Sequence, residues 1–226
     1  MNFFTGSPIV AAISDSSLDF TPADFDAPLG PEHQAYLQTQ TGRAISQVFW
    51  RKQIHGDDIL VASHSSKGCP DADAYITNQI NLPIAIRTAD CVPVFMYDPI
   101  QHAIGLVHAG WQGTHKQIAA KTLQQMQDKF GSKCYDLKVA LGPSIRACCY
   151  QVGEEFKEYF PDDVKERDGH LYADVVNTNR RQLVKAGVEE ANIIDSGVCT
   201  CCSPNYFSFR RDAQQSGRMI SLMMLL

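Results

Sequence analysis

Two short apolar runs joined by a turn form the most constraining stretch of the sequence, residues 88–111. The runs are Val92–Tyr97 and Ala103–Val107, and the chain between them opens with Asp98–Pro99. Proline presets φ for a turn, and aspartate accepts hydrogen bonds from the backbone just beyond it. The runs are too short for helices and contain Val, Phe and Tyr, so they predict a β-hairpin.

A cysteine and a histidine stand at the open end of this hairpin. If the loop is the four residues 98–101, Cys91 lies directly opposite His108. Directly opposed residues have Cβ atoms roughly 4.5–5.5 Å apart, so the thiol and the imidazole could share one metal ion or one proton. A slip of one residue would send the two side chains to opposite faces, so this prediction depends on the loop length.

Length and composition are those of an ordinary globular protein. The chain has 226 residues, 44% hydrophobic and 20% charged, so we expect one domain over 1–226 with a weakly patterned, variable segment over 1–45. A formal net charge of −5 gives no general attraction to nucleic acids or anionic membranes. We see neither a secretory signal nor a membrane span. We therefore expect a cytoplasmic monomer or homodimer whose eight cysteines stay reduced.

Helix and strand signals alternate irregularly along the chain, which indicates a mixed α/β domain and not a repeating βαβ pattern. Helices are predicted at 32–40, 118–130, 154–160 and 174–186, and further strands at 8–12, 48–50, 59–62, 82–87, 137–141, 192–198, 206–210 and 219–225. The strongest helix is 118–130, because its apolar residues fall at helical spacing and Gly131 ends it. Thr114 is its predicted N-cap.

Three residues around the hairpin predict a metal centre. His55 lies at a bend before a glycine and two acidic residues, Cys91 enters a strand, and His108 leaves one. Two imidazoles and one thiolate match a catalytic zinc set that keeps the fourth position for water or substrate. Copper (Cu²⁺) could also bind these ligands. The spacing of the three residues matches no compact zinc-finger motif, so their proximity must come from the fold.

The same residues allow a thiol mechanism without a metal. His108 would deprotonate Cys91, which would then attack a carbonyl carbon. Asp90 could orient the imidazole, although as the neighbour of Cys91 in a strand it should point to the opposite face. A buried thiol beside a structural histidine remains a simpler alternative, with Asp90 as an acid that bonds its loop. A third alternative is a non-catalytic scaffold that binds partners through the Met-rich C-terminal end.

A glycine-rich turn follows His108 and precedes the long predicted helix. The free N–H groups at a helix start can hold an anion such as phosphate, and an ordinary strand-to-helix turn is the alternative. The predicted contacts to substrate or phosphate are Gly110, Gly113, Thr114, His115, Arg210 and Arg211, with Arg218 as a further candidate. These arginines would otherwise form a solvated edge.

Five other cysteines form two groups, Cys148–Cys149 and the set Cys199, Cys201 and Cys202. A structural metal site is one interpretation of such a cluster. Adjacent cysteines rarely ligate one ion comfortably, however. We therefore expect these side chains to be packing residues or incidental thiols.

Several short motifs follow one another between residues 48 and 220. They are Gln53–Gly56, Thr88–Val94, His108–Thr114, Gly142–Ile145 with Cys148–Gly153, Cys199–Thr200, and Phe207–Asp212 with Gly217–Met219. In this order they resemble the laccase-domain family, also called multicopper polyphenol oxidoreductase-like or purine nucleoside phosphorylase-like proteins. No single motif is specific, but the set covers most of the chain.

The resemblance implies a mixed central sheet flanked by helices and a zinc ion held by His55, Cys91 and His108. It implies phosphorolysis of adenosine, inosine and methylthioadenosine, with adenosine deamination as a second activity. Copper-dependent oxidation of phenols and a role in correcting peptidoglycan precursors are also attributed to the family. Its fold is related to Cys–His hydrolase-like proteins, so a thiol hydrolase remains an alternative.

The sequence departs from the family pattern in three places. Gln112 stands where an arginine is usual, and Gln151 stands where a glutamate is usual. The N-terminal Ser–Leu–Asn–Leu–Gly segment, which brings an asparagine to the site, has its nearest match in Ser17–Phe20. Loss of the arginine weakens the expectation that the chain binds phosphate.

Overall fold

The computed structural model describes the whole chain except residues 23 and 67. The helices are α1 (Pro31–Thr41), α2 (Trp111–His115), α3 (Ile118–Phe130), α4 (Phe156–Tyr159), α5 (Val175–Lys185) and α6 (Phe209–Asp212). The strands are β1 (Ile9–Ile13), β2 (Ile59–Val61), β3 (Ala74–Thr77), β4 (Ile84–Thr88), β5 (Val92–Asp98), β6 (Ala103–Ala109), β7 (Lys138–Leu141), β8 (Gln151–Val152), β9 (Val164–Arg167), β10 (His170–Ala173), β11 (Ile193–Asp195) and β12 (Met219–Leu225). No helix among the described residues is long and apolar enough to cross a bilayer.

A six-stranded mixed sheet in the order β11-β7-β5-β6-β3-β2 forms the centre of the fold. The predicted hairpin, β5 with β6, lies in its middle and is buried along its whole length. The strands on either side of the hairpin pair antiparallel to it, whereas the two outermost strands pair parallel to their neighbours. The mixed sheet and its helices confirm the predicted mixed α/β class.

The register of the hairpin differs from the predicted one by two residues. Asp98 pairs with Ala103, so the loop is 99–102, and His108 lies opposite Pro93. The Asp98 carboxylate accepts two main-chain N–H groups of the loop at 2.8 and 2.9 Å, so Asp98 closes the strand rather than opening the loop. Because the error is an even number of residues, side-chain alternation is kept, and Cys91 still lies near His108 just outside the ladder.

A second, three-stranded antiparallel sheet in the order β1-β12-β4 packs on one face of the central sheet. Helices α3 and α5 pack on the other face. Alternate side chains of β5 pack in two different cores. Val94 and Met96 pack with the helices, whereas Phe95 and Tyr97 pack with the second sheet. This alternation is the expected period of a strand that is buried on both faces.

The second sheet is covered on its outer side by the segment over 1–45 and its continuation. Leu222 and Met224 of β12 pack there against Phe20, Leu37 and Trp50. Strand β12 is buried throughout. The Met-rich C-terminal strand is therefore part of the core, and the alternative in which it binds partners as an exposed edge is wrong.

Two predicted strands are wrong. Residues 48–50 form only one isolated bridge, between Phe49 and Ile84. Their side chains are apolar because they are buried in the core, and burial alone does not require pairing in a β-ladder. Residues 206–210 are a turn followed by the start of α6. The Ser208 hydroxyl accepts the main-chain N–H three residues later at 3.2 Å, and this cap starts a helix.

The predicted helices at 32–40, 118–130 and 174–186 are confirmed within one residue at each end, and the one at 154–160 is shorter. The predicted N-cap is wrong, because Thr114 lies inside α2 and Gln117, with φ +63°, precedes α3. A hairpin of β9 and β10 is absent from the predictions. Its turn is Asp168–Gly169, both with positive φ, and the charged β9 hides the apolar alternation.

Helices α2 and α5 are joined by buried polar contacts. The Thr114 hydroxyl is fully buried and accepts a hydrogen bond from the Asn179 amide at 2.9 Å. The main-chain carbonyl of Thr114 accepts a second bond, from the side-chain amide of Gln182 at 2.9 Å. These contacts fix the position of α2, which follows directly on the strand carrying His108.

We expect Thr114→Val to lower the free energy of unfolding by about 1–3 kcal/mol, because it leaves one buried N–H of Asn179 without an acceptor. Thr122→Val is the matched control. Its hydroxyl is equally buried but bonds only to the Ile118 carbonyl in the same helix, so its loss should be smaller. Urea unfolding followed by circular dichroism measures both, and equal losses would contradict a stabilising tie between α2 and α5.

Candidate functional site

The bend that carries His55 is held by one buried carboxylate. Asp73, which directly precedes β3, accepts the main-chain N–H groups of Ile54 at 3.2 Å, His55 at 3.0 Å and Gly56 at 2.8 Å. His55 has φ +58°, a left-handed conformation that non-glycine residues rarely adopt. Hydrogen bonds to an ionised acceptor are the strong ones, so Asp73 holds the bend in this conformation.

The same carboxylate orients His108. Nδ1 of the imidazole lies 2.7 Å from Oδ1 of Asp73, and both side chains are buried. The main chains are joined as well, because the N–H of His108 donates to the carbonyl of Asp73 at 2.7 Å. With Nδ1 occupied, Nε2 is the nitrogen left for a metal ion or a proton.

His55, Cys91 and His108 come together at the end of the hairpin. Their ligand atoms all lie within 4.8 Å of one another. The two imidazole rings are 4.9 Å apart at an angle of 74°. The structure therefore brings together the three side chains that the sequence analysis grouped.

Gly110 leaves open the space between these side chains. A Cβ at this position would lie 3.1 Å from Sγ of Cys91 and 3.2 Å from Cδ2 of His55, so it would fill the gap among them. Gly113 allows another close approach, because its Cβ would lie 2.9 Å from the carbonyl of Gly56. Two imidazoles and a thiol around such a gap fit a zinc ion with an open fourth position, and they also fit copper.

Mutual attraction shifts the protonation of Cys91 and His108. Burial alone would raise the pKa of the thiol, but the charge of His108 and hydrogen bonds from both histidines lower the pKa of Cys91 to about 6. Burial alone would lower the pKa of the imidazole, but Cys91 and Asp73 raise the pKa of His108 to about 9. Without a metal, the pair is therefore a thiolate and an imidazolium at neutral pH.

A second buried carboxylate, that of Asp90, joins the hairpin to the C-terminal part of the chain. It accepts the Thr200 hydroxyl and the main-chain N–H of Arg210, both at 2.6 Å. These bonds agree with the interpretation of Asp90 as a loop-bonding acid and do not direct it to an imidazole. Asp90 has φ +87° and lies before β5, so strand alternation does not apply to it.

A cavity of about 780 Å³ opens beside the three side chains. Its lining includes His55, Cys91, His108, Arg87, Arg210 and Arg218. The Nε of Arg87 is buried without a hydrogen-bond partner among the described residues. Burial and the nearby charge of Arg218 lower the pKa of Arg87. Two neighbouring guanidinium groups with an unused donor form a site that an anion would stabilise.

Aromatic rings and a carboxylate complete the cavity lining. Tyr150 and Phe209 contribute rings, and Phe209 is 45% exposed. Asp19 also lines the cavity and accepts the main-chain N–H of Arg218 at 2.8 Å. The segment Ser17–Phe20, the nearest match to the N-terminal family motif, therefore reaches the site with an aspartate where the family has an asparagine.

Five of the predicted anion contacts do not line this cavity: Gly110, Gly113, Thr114, His115 and Arg211. Thr114 bonds to α5, and the ring of His115 packs on Tyr159 at 4.9 Å. Arg211 pairs with Asp212 and donates to four main-chain carbonyls. For the contacts predicted after the hairpin, the reason is that residues 111–115 form a separate short helix, so the start of α3 does not follow the hairpin directly.

Two charged residues of the site, which lie in none of the motifs, were missed from the sequence. The sequence contains a sign that Asp73 is unusual, because it is the one charged residue in the apolar stretch Ala72–Ile76. Arg87 had a similar one, as the one charged residue in β4. A single charge inside a buried strand has to find a partner, and the sequence does not say which.

A second cavity, of about 840 Å³, lies against Arg43, Phe49 and Asn81. None of the predicted site residues lines it. The predicted site residues that line a cavity are those beside the hairpin, namely His55, Cys91, His108, Arg210 and Arg218.

Known proteins share this sequence pattern and this fold. A family model described as multi-copper polyphenol oxidoreductase laccase matches residues 23–226. A purine nucleoside phosphorylase of Aquifex aeolicus is 36% identical over 173 residues, which cover 76% of this chain and 81% of that protein. One of Clostridium acetobutylicum is 37% identical over 181 residues, which cover 78% of this chain and 76% of that protein.

Solved structures agree with these relatives. The crystal structure of YlmD from Geobacillus stearothermophilus matches with a TM-score of 0.84 and 27% identity, over 96% of this chain and 92% of that chain. The protein YfiH of Bacillus licheniformis matches with a TM-score of 0.83 and 25% identity, over 96% and 93% of the two chains. The chain therefore belongs to the laccase-domain family of multi-copper polyphenol oxidoreductase-like proteins.

Proposed function

We propose that this chain is a zinc-dependent purine nucleoside enzyme. It would cleave adenosine, inosine and methylthioadenosine with phosphate, deaminate adenosine, and act in the cytoplasm. The observation that carries this proposal is that His55, Cys91 and His108 share one cavity with a group of arginines. The relatives named purine nucleoside phosphorylase support the class of substrate.

His55, Cys91 and His108 would hold the metal ion. Asp73 keeps the imidazole of His108 turned so that Nε2 is available, and Gly110 leaves the room that an ion needs. A zinc ion held there would supply Lewis-acid chemistry of the kind that activates a water molecule. We choose zinc over copper because neither phosphorolysis nor deamination changes the oxidation state of the substrate.

The arginines would hold phosphate. Arg87, Arg210 and Arg218 line the cavity and retain unused N–H donors, since a guanidinium has five. In phosphorolysis a hydrogen phosphate oxygen forms a bond to C1′ of the ribose while the bond from C1′ to the purine nitrogen breaks. The purine keeps the electron pair and takes up the proton of the hydrogen phosphate. Holding the anion beside C1′ is the contribution of the arginines.

The aromatic side chains would bind the purine. Phe209 presents a ring to the cavity, and flat aromatic surfaces stack on one another. Burial raises the pKa of Tyr150 to about 12, so its hydroxyl stays neutral and can donate a hydrogen bond. Asp19 would offer Oδ2 to the ribose hydroxyls, because its hydrogen bonds with the other described residues all use Oδ1.

Incubation of the zinc-loaded protein with adenosine tests the proposal directly. We expect adenine to appear only with phosphate, and inosine to appear without it, because water replaces phosphate as the reactant in deamination. Liquid chromatography of the products measures both. Cys91→Ala is the control, and products no more abundant than in this variant would mean that the proposed activity is absent.

We expect Arg218→Gln to raise the KM for phosphate about tenfold or more. A charge-assisted hydrogen bond contributes about 1.5–3 kcal/mol, and each 1.4 kcal/mol is about a factor of ten. Deamination of adenosine, which uses no phosphate, should keep its rate. Arg181→Gln, on the exposed face of α5, is the matched control and should change neither value. An unchanged KM for phosphate in Arg218→Gln would show that the anion binds elsewhere.

A second candidate function is a thiol hydrolase acting on a carbonyl substrate such as a peptidoglycan precursor. The observation that favours it is the order Cys91–His108–Asp73, in which a carboxylate orients the base that faces the nucleophile. The two candidates differ in what Cys91 does when zinc is present. A thiolate bound to zinc is protected, whereas a nucleophile is free to react.

Alkylation of Cys91, followed by peptide mass mapping, distinguishes the two candidates. In metal-free protein we expect the rate to rise with pH through about 6, where the depressed pKa of Cys91 releases the proton. The internal control is Cys134, whose pKa is raised by burial and which should react slowly at pH 7. Saturation with zinc should stop the reaction at Cys91. Undiminished alkylation with zinc present would favour the thiol hydrolase.

A further inference from the structure

Four cysteines from two separate loops come together outside the proposed catalytic site. The Sγ atoms of Cys148, Cys149, Cys199 and Cys202 all lie within 4.8 Å of one another. The sulfur of Cys202 is 3.6 Å from that of Cys148 and 3.2 Å from that of Cys149. Both separations exceed the roughly 2.05 Å of a disulfide, and all four residues are free thiols.

The main chain positions the two loops without help from the sulfurs. Ser144 and Cys199 form a parallel bridge. The N–H of Ser144 donates to the carbonyl of Val198 at 3.3 Å, and the N–H of Thr200 donates to the carbonyl of Ser144 at 3.1 Å. The guanidinium of Arg146 donates to Val198 at 3.2 Å. The thiols are therefore gathered in advance, and an ion would bind to a site that already exists.

Tight turns allow neighbouring cysteines to face the same way. Cys199 and Cys202 have the C-x2-C spacing of many zinc sites, and the N–H of Ser203 closes their turn on the carbonyl of Cys199 at 3.0 Å. Cys148 and Cys149 lie in a turn where the N–H of Cys149 donates to Arg146 at 2.9 Å. Adjacent cysteines would diverge in a strand, but here the turn directs both sulfurs to Cys202.

The distances and charges suit one small soft cation. A zinc ion about 2.3 Å from each of four sulfurs places the sulfurs about 3.8 Å apart, within the range that the cluster shows. Four thiolates around Zn²⁺ carry a net charge of −2. The guanidinium groups of Arg167 and Arg210 stand beside them, donating to the carbonyls of Cys148 at 3.0 Å and Cys149 at 3.5 Å.

We propose that Cys148, Cys149, Cys199 and Cys202 bind one Zn²⁺ as a structural site separate from the proposed catalytic metal. Binding forms four Zn–S bonds and releases the four thiol protons to solvent. Calcium and magnesium are excluded by their preference for oxygen ligands. This assignment replaces the expectation of incidental thiols, which considered adjacent cysteines without the turn that holds them.

The second ion would stabilise the wall of the cavity. The guanidinium of Arg210 donates to the carbonyl of Gln151 at 2.8 Å as well as to Cys149, so it is anchored to the first cysteine loop. Thr200, in the second loop, donates to the same Asp90 carboxylate that accepts the N–H of Arg210. An ion joining the two loops would therefore hold Arg210 where the phosphate is proposed to bind.

Metal analysis of the full chain, purified without chelators and saturated with zinc, tests the site. Plasma mass spectrometry should find two zinc ions per wild-type chain. We expect one in Cys202→Ser, one in Cys199→Ser and one in His55→Ala. Cys201→Ser is the matched control, because Cys201 lies in the same turn but outside the cluster, and it should keep two. Circular dichroism checks that each variant is folded.

A measurement on the wild type keeps the test decisive where a variant fails to fold. Alkylation of the zinc-loaded chain should spare the four clustered cysteines and modify Cys69 and Cys201, which are free thiols outside the cluster. A single zinc ion that is lost in His55→Ala but kept in Cys202→Ser would overturn the proposal. Disulfides among the four cysteines in the zinc-saturated chain would also overturn it. A single ion lost only in Cys202→Ser would support this site while contradicting the proposed catalytic metal.

Discussion

The buried carboxylate of Asp73 is the interaction on which the rest of the site depends. It bonds three successive main-chain N–H groups of the bend at His55 and the imidazole of His108. Burial alone would raise the pKa of Asp73, but His108 and the N–H groups of Gly56 and Ile54 hold that pKa below its ordinary value. A buried charge is tolerated only when it is fully paired, so the same bonds that keep Asp73 ionised also bring both histidines to Cys91.

A second buried carboxylate, that of Asp90, holds the C-terminal loops against the cavity, as Asp73 holds the two histidines. Asp90 directly precedes Cys91 and accepts hydrogen bonds from the hydroxyl of Thr200 and the main-chain N–H of Arg210. Both donors lie more than a hundred residues later in the sequence. Both carboxylates lie where the central hairpin ends and the sheets no longer cover polar groups. The apolar sheets provide a rigid base, and the two carboxylates give direction to the side chains at its edge.

Local charge in the cavity opposes the charge of the chain as a whole. The chain carries a net charge of −5, yet the arginines concentrate positive charge where His55, Cys91 and His108 converge. The proposed four-cysteine zinc site would add negative charge behind Arg210 and fix its loops. A catalytic cavity, an anion site and a structural metal would then form one connected polar edge of the molecule.

Much of the architecture follows from the sequence alone. The central hairpin, the helices over 32–40, 118–130 and 174–186, and the last strand were predictable because their apolar periods are local and strong. The closeness of Cys91 and His108 was also predictable, since both flank the hairpin, whereas His55 is brought to them by the bend that Asp73 holds. Predictions failed where burial imitated a strand, as at 48–50, or where a charged strand such as β9 hid its alternation.

Only the tertiary structure decided how distant polar groups pair. The register of β5 on β6 depends on the turn that Asp98 makes. The bond of Asp73 to His108 and that of Asp19 to Arg218 join residues that are 35 and 199 positions apart in the sequence. The four clustered cysteines come from two loops about fifty residues apart. A bridge between Ser144 and Cys199 joins these loops, and no local sequence pattern predicts it. Apolar periodicity is a property of neighbouring residues, whereas a hydrogen bond or a shared ion needs a partner that only folding supplies.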